Sequence, residues 1–316
     1  MFETDAVFLG GFSAHKVTDG SGAILERIRD LVRGLSPHGR FPGPNPCSME
    51  KADLQHVAKG GNWLCEKTDG TRVMLAFLTY EGTKVAFLVT RSWDIYVVGI
   101  RCCPKVLFQG SLVDGELVFA GGEWIWLGFD AMVVSGVPVW NLKLSERLAA
   151  AQRAFSAYQK HPKDSLRLTF KQYFKKFDDY VSYLQTSGYP TDGTIITPED
   201  LPVMLGRHKT LFKLKDAGKH TVDFEYHSPD VLKVYDQSQK LSVHVGTLMC
   251  PTSSTSHDMS SGTIVEASFS GNSNQWILVT IREDKTTSND MLTYTKTMLN
   301  IRENLGLEDL RMHWTM

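Results

Sequence analysis

Between Trp63 and Val134 the chain alternates strand-length apolar runs with very short breaks, and this spacing constrains the fold more than any other feature. The runs cover 72–79, 84–90, 94–98, 112–119 and 123–134, and Glu81-Gly82 and Gly121-Gly122 separate two of the pairs. A crossover helix between parallel strands needs about a dozen residues or more, and every gap but the one at 99–111 is far shorter than that. The strands are therefore expected to pair as antiparallel hairpins and meanders, not as βαβ units.

On the N-terminal side, Ile24, Leu25, Ile28, Leu31, Val32 and Leu35 form a helical stripe, with Gly34 and Pro37 marking its stop. The run Phe41-Pro42-Gly43-Pro44-Asn45-Pro46 is read as an extended loop, because three prolines exclude a helix. A short helix is expected near 51–59. Further helices are expected at about 143–159 and 174–187, with Phe170, Tyr173, Phe174, Phe177 and Tyr180 as an aromatic stripe of core residues at helical spacing. Strands resume at 192–197, 209–215 and 221–226.

After residue 226 the texture changes to short strands at 231–236, 241–248, 262–269 and 275–284, separated by polar linkers; the longest, Pro251 to Gly262, is rich in Ser and Thr. This pattern suits a small β-barrel of the OB type, closed by helices near 289–303 and 306–312. The expected fold class is α+β: an antiparallel domain over residues 1–226, an OB-fold domain over 227–303, and a C-terminal helix over 304–316 packing near the hinge.

With 316 residues, 42% of them hydrophobic and 22% charged, the chain is long enough for two cores. A net charge of −1 excludes the global basic field that holds long nucleic acid, so a nucleic-acid substrate would be gripped by a short end. Five cysteines without a Cys-x-x-Cys pair suit free thiols in a reducing compartment. The acidic start is no secretory signal, and no apolar stretch approaches the roughly 20 residues that cross a bilayer. A soluble, intracellular protein with no membrane partner is expected.

The chemistry centres on Glu66-Lys67-Thr68-Asp69-Gly70-Thr71-Arg72, a strand end and turn feeding the next strand. Lys-x-Asp-Gly alone is often an exposed turn. Five further segments follow it in order: Arg91 with Tyr96 five residues on; Asp114-Gly115-Glu116 with Phe129-Asp130; Asp192-Gly193-Thr194-Ile195-Ile196; Phe212-Lys213-Leu214-Lys215 with Thr221-Val222-Asp223-Phe224; and Arg282-Glu283-Asp284-Lys285 with Asn289. Glu116 interrupts a buried-looking strand, which favours a functional reason for it.

This order resembles the covalent nucleotidyltransferases, the superfamily of mRNA capping guanylyltransferases and ATP-dependent polynucleotide ligases, over about residues 63–290. Arg282-x-Asp284-Lys285-x-x-x-Asn289 and Thr221-Val222-Asp223-Phe224 resemble the capping branch. The chain departs from the family pattern at Leu214 and Asp216, where an aromatic and a proline are usual. The resemblance implies a nucleotidyltransferase domain followed by an OB-fold domain, with Lys67 attacking the α-phosphorus of GTP and passing GMP to an RNA 5′-diphosphate. Glu66, Thr68, Arg72, Arg91, Glu116, Phe129, Ile195, Lys213 and Lys215 are implied as nucleotide-binding. Within that set Arg72 and Glu116 hold the ribose, Arg91 contacts the sugar or α-phosphate, and Phe129 and Ile195 sandwich the purine. Asp192 and Glu116 are implied to hold Mg²⁺ or Mn²⁺, and Arg282, Asp284 and Lys285 to orient the pyrophosphate. An RNA triphosphatase, a cap methyltransferase or RNA polymerase is implied as partner, with nuclear action in a cellular source and cytoplasmic action in a viral one.

A lysine nucleophile must be neutral when it attacks, although a free amine titrates near about 10.4. Arg72, Lys213 and Lys215 are expected to surround it and favour loss of the proton by like-charge repulsion. Two other readings stand beside this one: a ligase with a lysyl-AMP intermediate, and a non-catalytic RNA-binding protein that retains the fold.

Overall fold

The computed structural model describes residues 2–215, 217–249, 259–271, 273–283 and 285–315. Asp216, Asp284 and Cys250 fall outside them, as does most of the Ser/Thr-rich linker. Two compact units emerge. The first comprises Met1–Cys47, His56–Lys213 and Trp314–Met316; the second comprises Ser48–Gln55 and Leu214–His313.

In the first unit a hairpin of β1 (Thr4–Leu9) and β2 (Phe12–Val17) precedes α1 (Ser21–Leu31). Along the chain come β3 (Pro44–Ser48), a 3₁₀ turn at Lys51–Asp53 and the single-turn α2 (Leu54–Val57), where residues 48–55 count with the second unit, and then, in the first, β4 (Asn62–Thr68), β5 (Thr71–Tyr80), β6 (Thr83–Val89) and β7 (Ile95–Val98). The unit continues with β8 (Ser111–Ala120), β9 (Glu123–Val134), the short β10 (Val137–Pro138), α3 (Leu144–Phe155), β11 (Leu166–Phe170), α4 (Phe177–Leu184), β12 (Thr191–Pro198) and β13 (Gly206–Leu214).

Nine of these strands form one sheet in the order β1-β2-β7-β6-β5-β8-β9-β10, with β11 paired to β9. Every pairing but β11–β9 is antiparallel. The expected meander is thus observed. The near-continuous apolar run of β5 has a simple cause: helices cover this sheet on both faces. Val73, Leu75 and Phe77 join a cluster with Ala151 and Phe155 of α3, while Met74, Ala76 and Leu78 join one with Ile24 and Ile28 of α1. The period-two alternation of a strand divides consecutive apolar residues between the two cores.

A second sheet of four strands runs β3-β13-β12-β4. Its edge strand takes up the second half of the proline run, which was expected as a loop. An edge position is where prolines can enter a sheet, since their missing N–H groups break no ladder there.

Two sequence expectations need correction. The aromatic stripe is not helical: Phe170 ends β11, Phe174 bridges to Leu64, and only Phe177 and Tyr180 lie on α4. Proximity in sequence imitated a helical period across a strand, an extended link and a short helix. The domain boundary also moves. Thr221–Tyr226, expected to close the first domain, belongs to β14 (Thr221–His227), which pairs with two barrel strands.

The second unit is a closed barrel, β14-β15-β16-β18-β17, with β15 (Val231–Asp236), β16 (Leu241–Met249), β17 (Ile264–Ser270) and β18 (Gln275–Ile281). Phe224, Trp276, Val234 and Val265 fill it. Phe224 and Trp276 meet edge to face at 4.6 Å. The helix α5 (Met291–Glu303) places Tyr294 against both rings; Asp290 caps its start through the Thr293 amide at 2.7 Å. A last helix, α6, spans Leu307–His313. Among the described residues no helix is long and apolar enough to cross a membrane.

Candidate active site

Lys67 lies near the end of β4, which pairs antiparallel with β12. The register slips between Thr191 and Thr194, so Asp192-Gly193 forms a bulge inside a strand, where an isolated turn is the simplest sequence reading. Gly193 has φ 149°, a backbone region open to glycine. Bulges re-aim side chains. Here the result is an ion pair between Lys67 Nζ and Asp192 Oδ1 at 2.5 Å, with both side chains largely buried.

The expectation of cations around Lys67 is therefore corrected: its close charged partner is a carboxylate. Arg72 is engaged elsewhere. Its guanidinium makes a bidentate pair with Asp114, Nε–Oδ1 at 3.1 Å and Nη2–Oδ2 at 2.5 Å, and its Nη1 donates to Pro44 O at 2.9 Å. Lys215 falls in the second compact unit. Lys213 does line the same cavity as Lys67.

That cavity, about 460 Å³, brings together Lys67, Arg72, Arg91, Glu116, Phe129, Ile195 and Lys213, seven of the residues expected from sequence. Phe129 comes from β9 of the large sheet and Ile195 from β12 of the small one. Glu66 and Thr68 do not line it. Neighbouring residues of a strand point to opposite faces, so both side chains turn away from Lys67 into the interior. Thr68 Oγ1 donates to Glu116 there. Burial raises the Glu66 carboxyl above the usual range, against the opposing pull of Lys171 and Tyr183 beside it.

Sequence reasoning missed Lys171, Tyr173 and Arg207, which also line the cavity. Lys171 is 5% exposed; its Nζ bonds Glu66 O at 3.3 Å and Glu116 Oε2 at 3.1 Å, and lies 5.3 Å from the Phe129 ring centre. The Tyr173 hydroxyl donates to Phe129 O at 2.9 Å. The available signal was alternation: Lys171 and Tyr173 are two apart in extended chain and share a face. Burial pushes the Cys65 thiol up to about 12 and holds the Tyr173 phenol well above its ordinary value, so both walls stay protonated and uncharged at neutral pH. Arg91 is lowered from the usual arginine range by burial, and next by Arg72.

Asp130 and Arg147 form a second buried bidentate pair beside the cavity, Nε–Oδ1 at 2.6 Å and Nη2–Oδ2 at 2.9 Å. Arg147 Nη1 also donates to Leu142 O and Leu201 O, tying α3 and the 201 segment to β9.

In the second unit Arg282 and Lys285 converge on one carboxylate, Asp223 of β14. Arg282 Nη1 lies 3.0 Å from Asp223 Oδ1 and 3.3 Å from Glu266 Oε2, and Lys285 pairs with Asp223 Oδ2. Among the described residues no group of three or more His, Cys, Asp or Glu could hold a metal ion. Asp192 beside Lys67 still fits Mg²⁺, which is often held by one or two carboxylates with substrate phosphates and water.

Comparisons with known proteins bear on the family. Residues 14–217 match the mRNA capping enzyme catalytic domain, and residues 207–311 match the mRNA capping enzyme C-terminal domain. The chain is 26% identical to the mRNA-capping enzyme subunit alpha of Schizosaccharomyces pombe, over 92% of this chain and 84% of that one. It is 28% identical to the subunit of the same name from Eremothecium gossypii, over 63% of this chain and 50% of that one. With the mRNA-capping enzyme of Danio rerio it shares 24% identity over 69% of this chain and 40% of that one. The chain thus spans about half the length, or less, of the last two. A mycobacterial DNA ligase D complexed with ATP is similar at a TM-score of 0.41 and 14% identity, covering 77% of this chain and 94% of that one.

Proposed function

Since the chain belongs to the mRNA capping enzyme family, we propose that it transfers GMP from GTP, through a covalent adduct on Lys67, to the 5′-diphosphate end of RNA. The observation that carries this reading is the placement of Lys67, paired with Asp192 at 2.5 Å, in a cavity with an apolar slot at Phe129 and Ile195 and cations at Arg91, Arg207 and Lys213.

In the first step the Lys67 ammonium gives one proton to Asp192 and the neutral amine attacks the α-phosphorus; an N–P bond forms, the P–O bond to pyrophosphate breaks, and the nitrogen's second proton leaves with the pyrophosphate. Arg207 and Lys213 offset the charge on the phosphates as the leaving group departs, while Arg91 holds the sugar or α-phosphate equally before and during the transfer. In the second step an oxygen of the RNA β-phosphate attacks the same phosphorus, the N–P bond breaks, and Lys67 recovers a proton. Dividing the transfer in this way lets one cavity serve two acceptors. Bound Mg²⁺ or Mn²⁺, held by Asp192 with Glu116 or by Asp192 alone, would neutralise phosphate charge. Arg282 and Lys285 belong to the proposal as the cations that meet the pyrophosphate.

Lys171 supplies a physical basis for choosing guanine. An ammonium has three donors and no acceptor. It can bond the carbonyl oxygen of guanine and has nothing to offer the amino group of adenine. The relatives named as alpha subunits support a partner chain; an RNA triphosphatase fits, because it yields the diphosphate end that this transfer consumes.

Incubation with α-labelled GTP or ATP tests the reading. Label is expected on the wild type from GTP and not on Lys67→Ala. Label from ATP alone would make the chain a lysyl-AMP enzyme, and no label from either would leave a binding protein.

A further inference from the structure

The turn between β6 and β7, which carries Arg91, holds a conformation that tryptophan rarely accepts: Trp93 has φ 67°. There the Cβ of a bulky residue crowds its own backbone, and the strain persists only where the surroundings over-determine it. At Trp93 they do. Its N–H donates to Thr90 O at 3.0 Å, and the Thr90 N–H donates to Asp94 O at 3.0 Å. Its indole Nε1 donates to Gly39 O at 3.0 Å. Phe41 meets the indole edge-on at 6.1 Å, and the Arg29 guanidinium of α1 sits 5.1 Å from the ring centre.

From Phe41 the contacts continue inward. The Arg72 guanidinium lies 5.5 Å from the Phe41 ring and 5.4 Å from the Phe129 ring, and Lys171 lies 5.3 Å from Phe129 on. A series of cations and rings, Arg29, Trp93, Phe41, Arg72, Phe129 and Lys171, thus runs from α1 to the wall of the cavity. Gly43 seals the same loop: a Cβ there would stand 2.2 Å from Arg72 Nη2 and 2.6 Å from Asp114 Oδ2. Each cation–π contact is modest alone, but those around Arg72 are desolvated.

We propose that Trp93 and Phe41 are positioning residues that clamp the Arg91 turn and the 39–45 loop into one rigid wall of the nucleotide cavity. Neither residue lines the cavity; Arg91, Pro44 and Asn45, which they hold, do. Glycine would adopt the backbone of residue 93 without strain, so the tryptophan is there for its ring. The inference rests on the reading that this cavity takes GTP.

The test is the rate of GMP-adduct formation as a function of GTP concentration, with melting temperature measured on the same samples. Trp93→Ala, Trp93→Gly and Phe41→Leu should each raise the half-saturating GTP concentration about tenfold and leave the limiting rate within about twofold. In an Arg91→Ala background, Trp93→Ala should add less than about twofold, because residues acting through one another are not additive. Variants that melt lower yet keep the wild-type half-saturation overturn the proposal, as does full additivity with Arg91→Ala. Recovery of wild-type half-saturation by Trp93→Gly also overturns it, since the ring would then be dispensable. A wild type that takes no label fails the parent reading instead, so the two failures are distinct.

Discussion

Lys67 Nζ and Asp192 Oδ1 stand 2.5 Å apart across the β4–β12 pair, brought together by a one-glycine bulge. The proposed nucleophile and the proposed acceptor of its proton therefore sit on neighbouring strands of one ladder. Removing the amine in Lys67→Ala should abolish covalent labelling. Asp192→Asn keeps the shape and removes the acceptor; the adduct rate should fall by about 10²–10⁴, the usual contribution of general-base catalysis, with GTP binding retained. An Asp192→Asn protein that labels at the wild-type rate removes Asp192 from the mechanism.

Base choice should reside in Lys171. Its Nζ is buried against Phe129 and bonded to Glu116, so it is fixed where a purine edge would meet it. Lys171→Met keeps the aliphatic stem and deletes the donors. The preference for GTP over ATP in adduct formation should fall by about 10² or more, since a site built around a hydrogen bond discriminates through it. An unchanged preference would move base reading to another residue.

The Arg72–Asp114 pair is predicted to be a structural keystone of the cavity. Asp114 is fully buried and Arg72 nearly so, which makes either one costly without the other. Asp114→Asn should lower unfolding free energy by about 3–5 kcal/mol, read by denaturant titration. Replacing both, as Arg72→Met with Asp114→Leu, should recover part of that stability while abolishing GTP binding. Equal stability of Asp114→Asn and the wild type would contradict the pair's role.

How far the sequence revealed this arrangement follows from physical period. The large sheet was legible because Val73 to Leu78 alternate between two cores and glycine breaks at 81–82 and 121–122 separate two of its strand pairs. The β1–β2 hairpin was not: its strand faces are mixed, Phe8 is 79% exposed, and only Gly10-Gly11 marked a turn. Lys67 and Asp192 were legible from the order of their motifs, although the sequence could not show that a bulge joins them. Lys171 was hidden because Phe170, Tyr173, Phe174 and Phe177 imitate a helix; read as extended chain, the same residues place Lys171 and Tyr173 on the cavity face. Arg72 was recognised, but its commitment to Asp114 is a diagonal contact across β5 and β8, with Glu116 opposite Arg72 and Asp114 opposite Met74, and only the folded register reveals that.

Acid should loosen the Arg91 turn before it unfolds the chain. Asp94 lies next to Trp93, and its carboxyl is held below the usual range first by the hydrogen bond from Lys16, at 2.7 Å, and then by Ser92. A depressed native value means that the carboxylate favours the folded turn above the unfolded pKa of about 3.9 and loses this effect as pH falls through the native value. Lys16 is raised, chiefly by the same bond, so its share is present below about 10.4 and is lost only in strong base. The turn should therefore keep constant protection between these limits. Both side chains are partly exposed, so high salt should weaken the effect. The measurement is amide hydrogen exchange at Trp93 and Asp94 with NMR titration of the Asp94 carboxyl. Exchange should rise below about pH 4, ahead of exchange in β5, and Lys16→Ala should shrink this rise and bring the Asp94 titration up toward the ordinary carboxylate value. An Asp94 that titrates at or above the ordinary carboxylate value, with Trp93 protection flat through that range, would show that the strained tryptophan is held without this ion pair.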